Sequence, residues 1–238
     1  MIFRGWQKTS LIEYPGKVST VLFTGGCNFR CPFCYNGDLV KKPESLPKIE
    51  EGEVLELLRR RRKLYQAVVV TGGEPTMDDG LSGFLRKVKD MGFLTGLETN
   101  GTNPDVVGAL IKEGLVDYIA MDVKAPLSFR KYRKAAGIKD RKLFENVCRS
   151  VKIVMGSGAD YEFRTTVVPG LHTKEDIIEL AGQLKGAKRY ALQQFTPKET
   201  AIDKKMSDTT PYTDVTIRNI GDIIKGNFGA FETRNLKC

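Results

Sequence analysis

Six short apolar, β-branched segments recur along the chain, with helix-patterned stretches between them, and this alternation restricts the fold more than any other feature. The segments are residues 18–24, 67–71, 93–98, 118–122, 162–168 and 190–195. Helical patterns occupy about 51–65, 78–91, 104–113, a region from Ser128 to Met155, 173–185 and 213–224. Thr173 with Asp176, and Asn103 with Pro104, read as helix starts; Gly92 and Gly114 read as helix ends. Such alternation predicts parallel strands joined by crossover helices. Six strands are too few for a closed eight-stranded barrel, so the expectation is an α/β partial TIM barrel, (β/α)6, with one domain over 1–238. Sites in such architectures form at the carboxyl ends of strands. The chain places its cysteines after the first segment, Gly72-Gly73-Glu74 after the second, Asn100-Gly101 after the third and Lys124 after the fourth.

The cysteines carry the chemistry. Cys27, Cys31 and Cys34 lie in Cys27-Asn28-Phe29-Arg30-Cys31-Pro32-Phe33-Cys34. Three thiolates at this spacing can each hold one iron of a 4Fe–4S cluster, leaving the fourth iron open to a substrate or cofactor. A tetrahedral zinc site is the alternative, and it wants four Cys or His ligands. The single histidine, His172, is distant in sequence, and Cys148 and Cys238 are isolated. His172 itself reads as a helix-entry residue after the Pro169-Gly170 turn.

With Phe33 just before the third cysteine, this run resembles the signature of the radical S-adenosylmethionine enzymes. Thr71-Gly72-Gly73-Glu74-Pro75, Glu98-Thr99-Asn100-Gly101, Met121-Asp122-Val123-Lys124 and Val167-Val168-Pro169-Gly170 follow in an order similar to the glycyl-radical-enzyme activating proteins, the group that activates pyruvate formate-lyase and anaerobic ribonucleotide reductase. The opening Gln7-Lys8-Thr9-Ser10-Leu11-Ile12-Glu13-Tyr14-Pro15-Gly16-Lys17 extends the likeness over nearly the whole chain. The resemblance implies a radical SAM core in which the open iron binds S-adenosylmethionine. Reductive cleavage would give a 5′-deoxyadenosyl radical, which would take hydrogen from a glycine of a partner glycyl-radical enzyme. A flavodoxin- or ferredoxin-type protein would be the electron donor.

The resemblance also implies cofactor contacts: Phe33 shielding the cluster, Gly72, Gly73 and Glu74 near the amino group, and Thr99, Asn100 and Asp122 around carboxylate and ribose. Lys124 would meet the carboxylate or the partner chain, or pair structurally with Asp122. Val168 and Gln194 would meet the adenine or ribose. Arg164 follows from strand alternation: an inward arginine needs anionic company, which a cofactor could provide. Gly72-Gly73-Glu74-Pro75 and Glu98-Thr99-Asn100-Gly101 also have a bland account as turns, since Gly-Gly and Asn-Gly are turn signals in their own right. Two departures stand out. Tyr35 follows the third cysteine where activators commonly carry His, and Glu98 stands where the pyruvate formate-lyase activator has Asp at a monovalent-cation site. No cysteine-rich insertion separates Asn36 from Lys48, so a single cluster is expected.

Composition adds limits. No apolar run approaches the ~20 residues of a membrane span, and the first residues do not read as a secretory signal, so a reducing cytoplasmic setting is expected. Cys148 reads as a buried helix residue and Cys238 as a free thiol. Lys and Arg outnumber Asp and Glu by 38 to 29, a formal charge of +9, scattered apart from Arg59-Arg60-Arg61-Arg62-Lys63. That run reads as a solvated helix end, with Glu56 and Arg60 at ion-pair spacing. Nucleic acid is the less favoured partner, since no aromatic and basic stacking surface is evident. The competing functions are a radical enzyme acting on RNA or a small molecule, and a non-catalytic iron–sulfur or zinc module; the latter leaves the strand-end motifs unexplained.

Overall fold

A computed structural model describes residues 1–236. The six segments form parallel neighbours in chain order: β2 (Ser19–Thr24), β4 (Ala67–Gly72), β5 (Leu94–Thr99), β6 (Tyr118–Asp122), β7 (Asp160–Val167) and β8 (Arg189–Gln194). Three further strands enlarge the sheet to nine. β1 (Ile2–Ser10) runs antiparallel to β2, β3 (Ile49–Glu50) antiparallel to β1, and β9 (Ala230–Arg234) parallel beyond β8. The sheet is therefore longer than six strands at both ends. The added strands lack the sequence mark of the other six because they lie toward the edges and are only half buried, so Gln7-Lys8-Thr9 and Glu232-Thr233-Arg234 carry no apolar run.

Strand alternation divides the side chains between two faces. In β4, Val68 and Val70 join the main core with Phe84, Leu85 and Val88, while Ala67 and Val69 face a smaller inner cluster with Tyr14, Val21, Tyr118 and Ala120. The outer face is covered by α2 (Glu51–Arg60), α3 (Leu81–Asp90), α4 (Pro104–Lys112), α5 (Phe129–Ala136), α6 (Arg141–Met155), α7 (Lys174–Gln183) and α8 (Asp214–Ile224), whose buried residues fall on one stripe each. A short α1 (Gly37–Lys41) follows the cysteine loop.

The helix signals hold locally. Thr173 and Asp176 form a reciprocal capping box, Pro104 sits at the first helical turn, and Gly92 and Gly114 close α3 and α4 with positive φ. The 128–155 region is two helices. Gly137 at φ +63° ends α5, and Asp140 caps α6 through its carboxylate to the Lys142 N–H. The 51–65 pattern stops at Arg60, with Glu56 paired to Arg60 at 2.8 Å. Cys148 lies on α6 but is half buried, not buried, and Cys238 lies outside the described residues. No helix among the described residues is long and apolar enough to cross a membrane.

Candidate functional site

At the carboxyl ends of the parallel strands lies one cavity of about 1170 Å³. Cys27, Cys31, Phe33, Cys34, Gly72, Gly73, Thr99, Asn100, Asp122, Lys124, Arg164 and Gln194 all line it. The loops that carry the cysteines and the glycines are locked by backbone pairing: Gly73 N–H donates to Thr24 O and Glu74 N–H to Gly26 O, at 3.0 and 2.8 Å. A Cβ on Gly73 would stand 1.8 Å from Gly26 O, next to Cys27, and Gly72 has φ +121° with its would-be Cβ 2.3 Å from Thr24 N. Both glycines are thus demanded by the approach of two protein backbones. A side chain at Gly73 would collide with the cysteine loop itself.

Glu74 does not reach the cavity. It is buried, and its carboxylate accepts from Thr76 N–H, Thr76 hydroxyl, Thr99 hydroxyl and Asn100 N–H, at 3.1, 2.5, 2.7 and 2.6 Å. These bonds fit a carboxylate that fixes the loop rather than one that meets the cofactor's amino group. Through Glu74 the turn after β4 holds the turn after β5, and Asn100 passes the connection on. The Asn100 amide donates to Asn28 Oδ1 at 2.9 Å and lies 3.7 Å from Cys27 Sγ, while Phe29 N–H donates to the same sulfur at 3.3 Å.

Val168 is not among the cavity-lining residues. Its N–H donates to Nδ1 of His172 at 3.0 Å, and its carbonyl accepts from Leu171 and His172 N–H, so no backbone group remains free for an adenine. That contact is corrected. His172 is more than a helix-entry residue. Buried, with Nδ1 accepting, its Nε2–H donates to Lys124 O at 2.7 Å and ties the ends of β6 and β7 together. Burial lowers its basicity, which keeps this neutral tautomer. Its signal in sequence was only a polar residue flanked by a turn and a cap. His172→Ala is expected to cost about 2–3 kcal/mol, since it orphans two buried backbone groups. A urea midpoint unchanged from wild type would refute the strut.

Gln194 lines the cavity, but its amide donates to Tyr212 O at 2.5 Å and its Oε1 is buried without a partner. Lys124 Nζ sits 2.7 Å from Asp122 and 5.9 Å from the Phe33 ring centroid. Burial opposes its charge, but Asp122 and the neighbouring cysteines outweigh burial and hold the ammonium on. Arg164 does point inward. Its anionic company comes from the chain itself: Glu98 at 2.6 Å, Glu13 at 3.6 Å, and Glu162, whose Oε1 accepts from Nε. Arg234 grips Glu162 with two bonds of 2.8 Å, and Glu98 also accepts from Thr71. One Arg164 nitrogen, Nη2, has no hydrogen-bond partner among the described residues. Glu13 and Arg234 belong to this belt without a local signal in sequence: Arg234 lies on the half-buried strand β9, and Glu13 meets Arg164 only through the fold.

The donor set fits a cluster. Burial pushes the Cys27 thiol up to about 11 and Cys31 up to about 12, and raises Cys34 too, so each needs a positive partner to ionise. Lys124 beside Cys31 and Cys34 and the two N–H groups on Cys27 give the support that thiolate ligands require. Among the described residues, no three His, Cys, Asp or Glu converge on a single-ion site.

The radical SAM superfamily profile matches residues 21–223, and the chain belongs to that superfamily. Within it, the chain is 33% identical over 220 residues to a proposed glycyl-radical enzyme activating enzyme of Methanocaldococcus jannaschii, covering 91% of this chain and 88% of that one. It is 26% identical over 200 residues to the pyruvate formate-lyase-activating enzyme of Clostridium pasteurianum, covering 82% and 80%. Among solved structures, a radical SAM methyltransferase from Sphaerobacter thermophilus superposes with TM-score 0.72 at 18% identity, over 93% of this chain and 67% of that one. Streptococcus suis SuiB bound to S-adenosylmethionine gives 0.66 at 16% identity over 90% of this chain, which spans about half of SuiB's length. These superpositions show the fold, a partial barrel with a parallel-rich sheet.

Proposed function

We propose that this radical SAM enzyme is an activase, which takes a hydrogen atom from a glycine of a partner glycyl-radical enzyme. The observation that carries the reading is the mouth of the cavity. Ile12, Glu13, Pro15 and Tyr35 line the cavity, yet Leu11 and Ile12 are 71% and 76% exposed and Tyr35 is 62% exposed. Large apolar side chains held out in water around a cavity mark a surface built to receive another protein. Likeness to two activating enzymes over most of the chain supports the same reading.

Cys27, Cys31 and Cys34 would hold a 4Fe–4S cluster, with S-adenosylmethionine on its open iron. Bound there, the pair would supply reductive cleavage of the sulfonium, the source of a 5′-deoxyadenosyl radical. The chain's own residues do the positioning. Phe33 covers the cluster side and keeps water out, the Asp122–Lys124 pair offers both charges to a zwitterionic methionine moiety, and Thr99 and Asn100 are fixed by Glu74. The inward belt of Glu13, Glu98 and Arg164 faces whatever enters from the mouth. Tyr35 retains aromatic bulk and a hydroxyl at the rim where activators commonly have imidazole.

The test is electron paramagnetic resonance. Reduced protein with S-adenosylmethionine should release 5′-deoxyadenosine slowly, and adding the matching glycyl-radical enzyme should yield a doublet from the remaining α-hydrogen. Changing the partner glycine to Ala should erase the doublet. No doublet with any glycyl-radical enzyme of the same cell, alongside turnover of an RNA or metabolite, would overturn the activase reading and leave the radical chemistry.

A further inference from the structure

Positive charge gathers on α5 and the segment that follows it. Between residues 130 and 142 stand seven cations and one carboxylate, a net of six of the chain's nine positive charges. Arg130, Arg133 and Lys134 are exposed on α5 at spacings that share one helix face. Lys131 bridges Asp176 and Glu179, and Arg141 pairs with Glu145. Arg130, Arg133, Lys134, Lys139 and Lys142 have no ion-pair partner among the described residues.

This face is joined to the cysteine loop. Arg30, one residue before Cys31, donates its N–H to Ala136 O at 2.9 Å. Gly137 lies so close that a Cβ there would be 2.0 Å from Arg30 O. Inside α5, fully buried Tyr132 stacks edge-on to Phe29 of the loop and accepts from Lys124 N–H. The exposed Arg30 guanidinium folds onto the carbonyls of Cys27 and Phe29, with no carboxylate among the described residues to neutralise it. None of the basic residues from 130 to 142 lines the cavity. The patch therefore reaches the cysteine loop from a side that a protein substrate in the mouth leaves free.

We propose that the exposed face of α5, with Arg30 and Lys139, is the docking surface for a small acidic one-electron carrier protein. The inference rests on the cluster reading above but not on which substrate the radical attacks. One electron leaves the reduced carrier and enters the iron–sulfur cluster; no proton or other atom moves. Such encounters are small and transient, and complementary charge sets their rate. Nucleic acid is the other polyanion to consider. It is disfavoured because Tyr132 is buried and Phe129 is covered by Phe144 and the Arg141 guanidinium, leaving no aromatic platform for bases.

The variant is Arg130→Glu/Arg133→Glu/Lys134→Glu, three exposed positions outside the cavity. The cluster-loaded enzyme would be mixed with an acidic ferredoxin and, separately, an acidic flavodoxin. Two quantities would be read: binding of the oxidised carrier, and stopped-flow reduction of the cluster by the reduced one. Wild-type rates should fall steeply between low and high salt. The variant should lose about 10-fold or more at low salt and lose the salt dependence. Its reduction by dithionite, and its 5′-deoxyadenosine yield with dithionite, should match wild type. Equal binding and equal reduction rates with both carriers would overturn the proposal, and so would loss of RNA binding with carrier kinetics unchanged. If dithionite gives no 5′-deoxyadenosine even with wild type, the radical reading fails instead, and carrier binding still decides the docking surface.

Discussion

Replacing Cys27, Cys31 or Cys34 singly by Ala is expected to abolish cluster assembly and with it all cleavage of S-adenosylmethionine. Reconstituted wild type should hold about four irons per chain. The three cysteines line a single cavity and each thiol is raised by burial; among the described residues no fourth cysteine lines it, so a site with one ligand missing has no spare thiol to recruit. Cys148 is on α6 and outside the cavity, and Cys148→Ala should keep full iron. Gly73→Val should behave like the cysteine variants, because its side chain would strike Gly26 O immediately before Cys27. Iron analysis with visible absorption reads all of these. Full iron in any one of the three cysteine variants would remove the open-iron argument, and iron-replete Gly73→Val would show that the loop yields.

The six-strand core was legible because buried parallel strands must be nearly continuous apolar runs, as in Ala67-Val68-Val69-Val70. Strand-end motifs were legible for the same reason, since the runs mark where each strand stops. Edge strands gave no such mark. β9 carries Glu232, Thr233 and Arg234, and its place in the sheet depends on pairing with β8, a contact between distant parts of the chain. The same limit divided the site. Local spacing revealed the cysteine ligands, whereas Glu74 was assigned to the cofactor because its bonds to Thr99 and Asn100 span β4 and β5. The basic face of α5 was diluted by its neighbours until Gly137 split one apparent helix into two.

Arg164→Met should be the most destabilising change outside the cysteines, by about 3–5 kcal/mol, because it strips a buried cation from carboxylates that cannot leave. Glu162 is 2% exposed and keeps Arg234, but Glu98 and Glu13 keep no guanidinium within bonding distance. The effect depends on pH. Burial, then repulsion from Glu98, already lifts the Glu13 carboxyl to about 7, with Arg164 pulling it down. The folded protein therefore binds a proton that the unfolded chain releases near pH 4.5. Stability from this group is full below that pH and is lost as pH rises through about 7. Without Arg164 the carboxyl climbs further, so the loss continues to higher pH and runs deeper. Urea midpoints of wild type and variant should lie closest near pH 5 and diverge toward pH 8. A gap that is constant with pH, or that narrows as pH rises, would mean Arg164 acts by packing alone and that Glu13 does not titrate against the belt.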